Sequence, residues 1–204
     1  MRIEGRDYRT IWLDGDGQSV HVIDQTLLPH RLATRRLSTR DEAARAIADM
    51  IVRGAPLIGV TGGYGLALAV AENASDAAVQ EAFAILLATR PTASNLCWAL
   101  ERMRAVTLAA PLRERREIAY REAARIADED IASCAAIGDH GARLIEEIAR
   151  KKGGGRVDIL THCNAGWLAT VDWGTALAPI YKAMRAGVDL HVWVDETRPR
   201  NQGA

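Results

Sequence analysis

The sequence predicts an α/β chain, with a mostly helical N-terminal domain that opens on a β-hairpin and is followed by the first βαβ unit of a parallel-sheet domain. Two observations predict it. Between residues 39 and 151 long Ala-rich stretches carry apolar residues at helical spacing. From Arg156 the pattern changes to two short apolar runs, at residues 157–161 and 190–194, on either side of a helical stretch. The triplet Gly153, Gly154 and Gly155 marks the change, which places the domains at residues 1–152 and 153–204.

With 204 residues, 49% of them hydrophobic and 25% charged, the chain can bury a sizeable core. Its 26 Lys and Arg balance 26 Asp and Glu, so no global positive field points to nucleic acid or to an anionic membrane. Any anion site is therefore local. No run of about 20 apolar residues stands out, so no membrane span is expected, and the chain reads as cytoplasmic. Cys97, Cys134 and Cys163 are odd in number and lack metal-ligand spacing, which argues against both a disulfide framework and a metal site.

Taken in order, residues 10–13 and 19–23 are β-type runs flanking Asp14-Gly15-Asp16-Gly17, the pattern of a hairpin with no evident chemistry. Thr39 and Glu42 have capping-box spacing, and Ala43, Ile47 and Met50 follow at helical intervals. That helix delivers the chain to Arg53-Gly54-Ala55-Pro56. Pro56 suits the first turn of a new helix, so Arg53 and the amides of Gly54 and Ala55 stand at a helix N-terminus, a seat for phosphate. Gly59, Gly62, Gly63 and Gly65 match neither nucleotide fingerprint. On this stretch alone, glycines that let helices pack closely and a solvated Arg53 serve equally well.

Ser75 caps a helix running to about residue 88, with Val79, Phe83 and Leu86 on one face. Arg90 follows, held before Pro91 in extended backbone at a helix junction, where a solvated charge is the ordinary alternative. Residues 112–151 read as one or two scaffold helices broken near Gly138. In the second domain Val157, Ile159 and Leu160 form a buried strand that breaks open at Cys163. A helix spans roughly residues 174–186, and a second strand ends in the charged run that begins at Asp195. Carboxyl ends of parallel strands face the crevice where open α/β sheets bind ligands, and Cys163 sits at that edge. A buried, inert thiol is the alternative for Cys163.

Jointly, Arg53-Gly54-Ala55-Pro56, Arg90-Pro91-Thr92-Ala93, Leu160-Thr161-His162-Cys163-Asn164-Ala165-Gly166 and Val192-Trp193-Val194-Asp195-Glu196-Thr197-Arg198-Pro199 resemble, in order and spacing, the methylthioribose-1-phosphate isomerase family. Ribose-1,5-bisphosphate isomerases and the regulatory subunits of initiation factor 2B share parts of these motifs. The complete Cys163 motif with both arginine motifs points to the isomerase branch. The resemblance implies a Rossmann-like second domain and an aldose-to-ketose conversion of 5-methylthioribose 1-phosphate in methionine salvage, with no redox cofactor. It implies a homodimer as the working form.

Carried over residue by residue, Cys163 matches the thiol at the reacting carbons, and Arg53, Gly54, Ala55, Arg90 and Gln202 match positions that hold the substrate, chiefly its phosphate. Planar guanidinium groups suit a phosphate because they donate two parallel charge-assisted hydrogen bonds. Family members continue well past the Gln202-Gly203-Ala204 segment and supply a catalytic Asp there. The chain is therefore expected to be the N-terminal portion of such an isomerase, inactive alone. Asp195 belongs to the family's Asp-Glu-Thr-Arg loop and is not read as that Asp. Another pentose 1-phosphate as substrate, or a non-catalytic initiation-factor-like subunit, are the alternatives.

Overall fold

The computed structural model describes residues 1–195 and 197. A small pair of strands, β1 (Arg2–Ile3) and β2 (Arg6–Asp7), precedes the expected hairpin, in which β3 (Ile11–Leu13) pairs antiparallel with β4 (Val20–Ile23). A third strand, β5 (Thr34–Leu37), adds to β4. Its sequence, Thr-Arg-Arg-Leu, has one buried residue and no apolar alternation, so nothing in its composition announces a strand.

Helix α1 (Arg40–Ala48) starts at the expected capping box, with Thr39 Oγ1 accepting from Glu42 N and the Glu42 carboxylate accepting from Thr39 N. Helix α2 (Ala55–Glu72) is the axis of the domain and touches α1, α3 (Asp76–Thr89), α4 (Ser94–Ala109) and α5 (Arg115–Lys151). Every residue from 57 to 70 is buried, as expected of a helix apolar on all sides. By length and composition α2 is apolar enough to cross a membrane, which corrects the expectation that no such run exists. With 78% of it enclosed by its neighbours, it is a core helix.

The glycines of α2 let that enclosure happen. A Cβ on Gly59 would stand 2.8 Å from the Asn95 carbonyl oxygen, one on Gly62 2.4 Å from Leu96, and one on Gly65 2.9 Å from Ala43. Close packing is therefore what these glycines do. Helix α4, which sequence periodicity passes over, begins at Ala93 without a capping side chain. Helix α5 is one unbroken helix of 37 residues. Gly138 does not break it. It lies buried in the helix interior, where a Cβ would meet Ala178 and Lys182 at 3.0 Å, and neighbouring Gly141 would meet Pro179 at 2.5 Å. Both are places of close approach by a short helix later in the chain.

That helix, α6 (Ala178–Arg185), joins two parallel strands, β6 (Val157–Thr161) and β7 (Leu190–Val194), in register Val157↔Leu190 through Thr161↔Val194. The βαβ unit is as expected, but β6 is not a buried strand. Val157 is buried, whereas Leu160 is 69% exposed beside Trp193 at 57%. Two strands with one helix leave a sheet face uncovered.

Candidate active site

The parallel strands bring their carboxyl ends together. Asp195 N donates to the Thr161 carbonyl at 3.1 Å, and His162 Nδ1 lies 3.1 Å from Asp195 Oδ2, so the loops after β6 and β7 are tied side by side. Cys163 is the next residue. It is exposed and holds φ +67°, a left-handed backbone that side chains other than glycine and asparagine adopt at a cost. This conformation turns the chain away from the strand direction. The loop borders a cavity of about 310 Å³, walled by Cys163, Asn164, Leu177, Tyr181, Val192 and Val194. Burial pushes the Tyr181 hydroxyl above its ordinary pKa, so it stays a neutral phenol at the cavity wall. Asn164 presents a buried amide nitrogen without a partner among the described residues.

Beyond Cys163 the chain is held at several points. Gly174, at φ +85°, packs its backbone on Gly166, where a Cβ would lie 2.3 Å from the Gly166 carbonyl carbon. Ala176 N donates to Ala165 O at 3.0 Å, and a short 3₁₀ turn, Trp167–Ala169, closes with Ala169 N to Gly166 O at 3.0 Å. Helix α5 contributes Asp130, whose Oδ2 accepts from Val171 N at 2.7 Å; burial raises its pKa against the effect of that hydrogen bond. From the hairpin, Thr10 donates through Oγ1 to Thr170 O at 2.5 Å and through N to Val171 O at 3.1 Å. Thr10 and Asp130 thus anchor the segment that follows Cys163.

The start of α2 meets the same segment. Gly54 takes φ +96°, and a Cβ there would stand 2.3 Å from Ala169 Cα. No side chain caps this end, and its first turn carries no acid, so the amide of exposed Ala55 is available to an anion. Arg53 stands beside them, with Nη2 donating to Gln25 O at 2.6 Å. Gln25 in turn donates through Nε2 to Leu168 O at 2.6 Å.

Of the residues expected from sequence, the structure therefore joins Arg53, Gly54 and Ala55 to the Cys163 segment through Ala169 and Gln25. Arg90 sits one junction away, as the half-buried C-cap of α3, at φ −147° and ψ 75° rather than the expected extended backbone, with its carbonyl accepting from Ala93 N. The α4 N-terminus that follows it packs on Gly59, on the second turn of α2. No hydrogen bond or ion pair among the described residues links Arg90 to Arg53 or to the Cys163 loop. Gln202 lies outside the described residues. Sequence reading singled out no residue in the loop after the hairpin, where Gln25, two residues beyond β4, contacts Arg53 through its backbone carbonyl and Leu168 through its side chain. The polar pair Asp24-Gln25 after an apolar strand was the available signal.

A wider cleft, of about 940 Å³, opens between Arg2, Arg6, Tyr8, Trp12, Trp173 and Arg185. It contains no thiol, and its Asp172 carboxylate is paired with the N-terminal amine at 2.6 Å. The thiol of Cys163 borders the smaller cavity instead.

Among known proteins, the methylthioribose-1-phosphate isomerase of Methylorubrum populi is 65% identical over all 204 residues, which cover 56% of that protein. The protein of the same name from Escherichia coli O45:K1 is 57% identical, again over the whole chain and 55% of the relative. Two solved structures superpose on 97% of the chain. The 5-methylthioribose 1-phosphate isomerase of Pyrococcus horikoshii does so with TM-score 0.84 and 38% identity over 55% of its length. The delta subunit of translation initiation factor eIF-2B from A. fulgidus does so with TM-score 0.81 and 37% identity over 57% of its length. The chain spans about half the length of the relatives it matches. The pattern of the initiation factor 2 subunit family fits residues 51–204, from the entry to α2 through the Cys163 loop and beyond, and the chain belongs to that family.

Proposed function

We propose that the protein carrying this chain is an aldose–ketose isomerase that converts 5-methylthioribose 1-phosphate to 5-methylthioribulose 1-phosphate in methionine salvage, as a cytoplasmic homodimer. The observation that carries this reading is the pairing of an exposed thiol at a parallel-strand end with an uncapped helix N-terminus and an arginine, joined through Gln25. The Methylorubrum populi and Escherichia coli relatives match the chain over its whole length and are named methylthioribose-1-phosphate isomerases.

The chemistry explains why both halves are needed. Phosphate on the anomeric oxygen prevents free opening to an aldehyde, so the ring oxygen must leave carbon 1 with a proton supplied to it. The hydrogen on carbon 2 then moves to carbon 1 as the carbonyl forms at carbon 2, and the carbon 2 hydroxyl gives up a proton that balances the one supplied to the ring oxygen. A group that exchanges a proton at these carbons and a fixed phosphate seat are the minimum. Cys163 supplies the first. Arg53, the Ala55 amide and Arg90 supply the second, since charge-assisted hydrogen bonds and a helix N-terminus both favour a dianion.

In the full-length protein, Cys163→Ser, a nearly isosteric change, is expected to lower turnover by at least ~100-fold, the usual scale for a positioned acid or base. The assay follows ketose formation from purified 5-methylthioribose 1-phosphate. Turnover of the Ser variant near that of wild type removes Cys163 from the chemistry. A full-length wild-type protein with no turnover on any pentose 1-phosphate favours the alternative, a non-catalytic initiation-factor-like subunit.

A further inference from the structure

Gln25 is an unusual residue to find in the core of the first domain. It is 1% exposed, yet it is polar and lies in the loop after β4 rather than within a regular element. Three of its groups are engaged, each with a different part of the site. Its N–H donates to Ile51 O at 2.9 Å and its C=O accepts from Arg53 Nη2 at 2.6 Å, so its backbone is fixed to the chain entering α2 from both sides. Its side-chain amide donates to Leu168 O at 2.6 Å, in the 3₁₀ turn after Cys163.

We propose that Gln25 is a positioning residue, whose side chain sets the Cys163 loop at its working distance from the Arg53 anion seat. This rests on the isomerase reading above. The loop is stiff enough to transmit the constraint. Between Cys163 and Leu168 the chain is pinned by Ala176 N to Ala165 O, by Ala169 N to Gly166 O, and by the backbone contact of Gly166 with Gly174. A shift at Leu168 therefore moves Cys163 instead of being absorbed.

The substrate makes the distance matter. Its phosphate is carried on the oxygen of carbon 1, and the hydrogen moves between carbons 2 and 1, so the group holding phosphate and the group moving the proton serve neighbouring atoms. A misplacement of about 1 Å between them is enough to cost on the order of 100-fold in rate. The backbone bond from Gln25 to Arg53 survives any change of side chain. Removing the amide donor should therefore release the thiol half of the site and leave the phosphate half in place.

Gln25→Met, similar in volume and without a donor, tests this in the full-length protein. The expected result is a kcat at least tenfold lower, with KM and the affinity for inorganic phosphate within about threefold of wild type. Phosphate-binding stoichiometry by calorimetry counts folded molecules, so a merely destabilised variant shows reduced stoichiometry and normal turnover per binding site. Gln25→Glu supplies a second readout. A protonated carboxyl can donate to the Leu168 carbonyl, whereas a carboxylate repels it, so kcat relative to wild type should rise as pH falls through the titration of the introduced carboxyl in that variant's profile.

A Gln25→Met enzyme with kcat per binding site within twofold of wild type overturns the proposal. So does a Gln25→Glu enzyme whose relative kcat is flat with pH, and this variant decides the matter if Gln25→Met fails to fold. Cys163→Ser run alongside separates the two readings. Full turnover there removes the thiol from the chemistry and sinks this inference with it, absence of turnover in the wild type sinks the isomerase reading itself, and an inactive Cys163→Ser with an unaffected Gln25→Met sinks this inference alone.

Discussion

Cys163 and Cys134 show how differently one chain treats the same side chain. Cys134, 1% exposed on α5, has its thiol pushed up to about 11 by burial, with the neighbouring Asp130 carboxyl adding to the effect. Cys163 stands exposed at the cavity and Cys97 is half-buried on α4. Timed iodoacetamide labelling at pH 8, read by peptide mass spectrometry, should modify Cys163 first, Cys97 more slowly and Cys134 only on unfolding. Labelling of Cys134 in step with Cys163 would contradict this assignment. The arginines make a second case at this scale. Arg53→Ala and Arg90→Ala are each expected to weaken inorganic phosphate binding by about 2 kcal/mol, roughly 30-fold, the value of a partly desolvated charge-assisted hydrogen bond. Calorimetric titration checks it, and unchanged affinity in both variants would return them to solvated surface charges.

At the scale of elements, the β3–β4 hairpin depends on its turn. Asp16 accepts from Ser19 N at 2.9 Å and from Gln18 N at 2.8 Å, and it pairs with Arg36 of β5 at 2.6 Å. Hydrogen bonds from the Ser19 and Gln18 amides, first of all, hold its carboxyl far below the usual carboxylate range. The sign of the linkage follows. Because the folded pKa is lowered, the stabilisation is fully present above the unfolded value near 4 and is lost as pH falls through the folded one. Asp16→Asn should therefore lower the melting temperature at pH 7, and the gap to wild type should close on acidification below about pH 4. A gap independent of pH would assign the loss to shape rather than charge. Elements whose cause is local were legible in the sequence: the Thr39–Glu42 capping box, Pro56 at the start of α2, Ser75 ahead of α3, and the βαβ pattern. Where the cause is a distant neighbour, sequence reading failed. Gly138 looks like a breaker, yet it is a contact with Ala178 and Lys182 some forty residues on. The charged strand β5 exists because β4 pairs with it. The site divides the same way. Arg53-Gly54-Ala55 and Cys163 were visible as motifs, while the Gln25–Leu168 and His162–Asp195 contacts join residues far apart in the chain, and no periodicity encodes them.

Over the whole molecule, burial is uneven. Helices α1, α3, α4 and α5 surround α2, whereas the β6–β7 sheet is covered on one face only. Register places Asp158 opposite His191 and Leu160 opposite Trp193 on a single face. That face is open, with Leu160 69% and Trp193 57% exposed, and the His191 ring set edge-on to Trp193 at 4.5 Å. On the other face Val192 and Val194 line the Cys163 cavity against α6. Two large apolar side chains paired across an uncovered sheet, on strands whose outer edges are also unpaired among the described residues, form a surface that chains bury by self-association. Expressed as the 204 residues alone, the chain should therefore associate with rising concentration and bind a hydrophobic dye. Leu160→Lys with Trp193→Lys should reduce both, and because neither side chain faces the cavity, thiol labelling at Cys163 should keep its wild-type rate. Light scattering after size exclusion, from micromolar to hundreds of micromolar, measures it. A wild-type chain that stays monomeric and dye-free across that range would show the open face to be tolerated in water, and the argument from its exposure would fail.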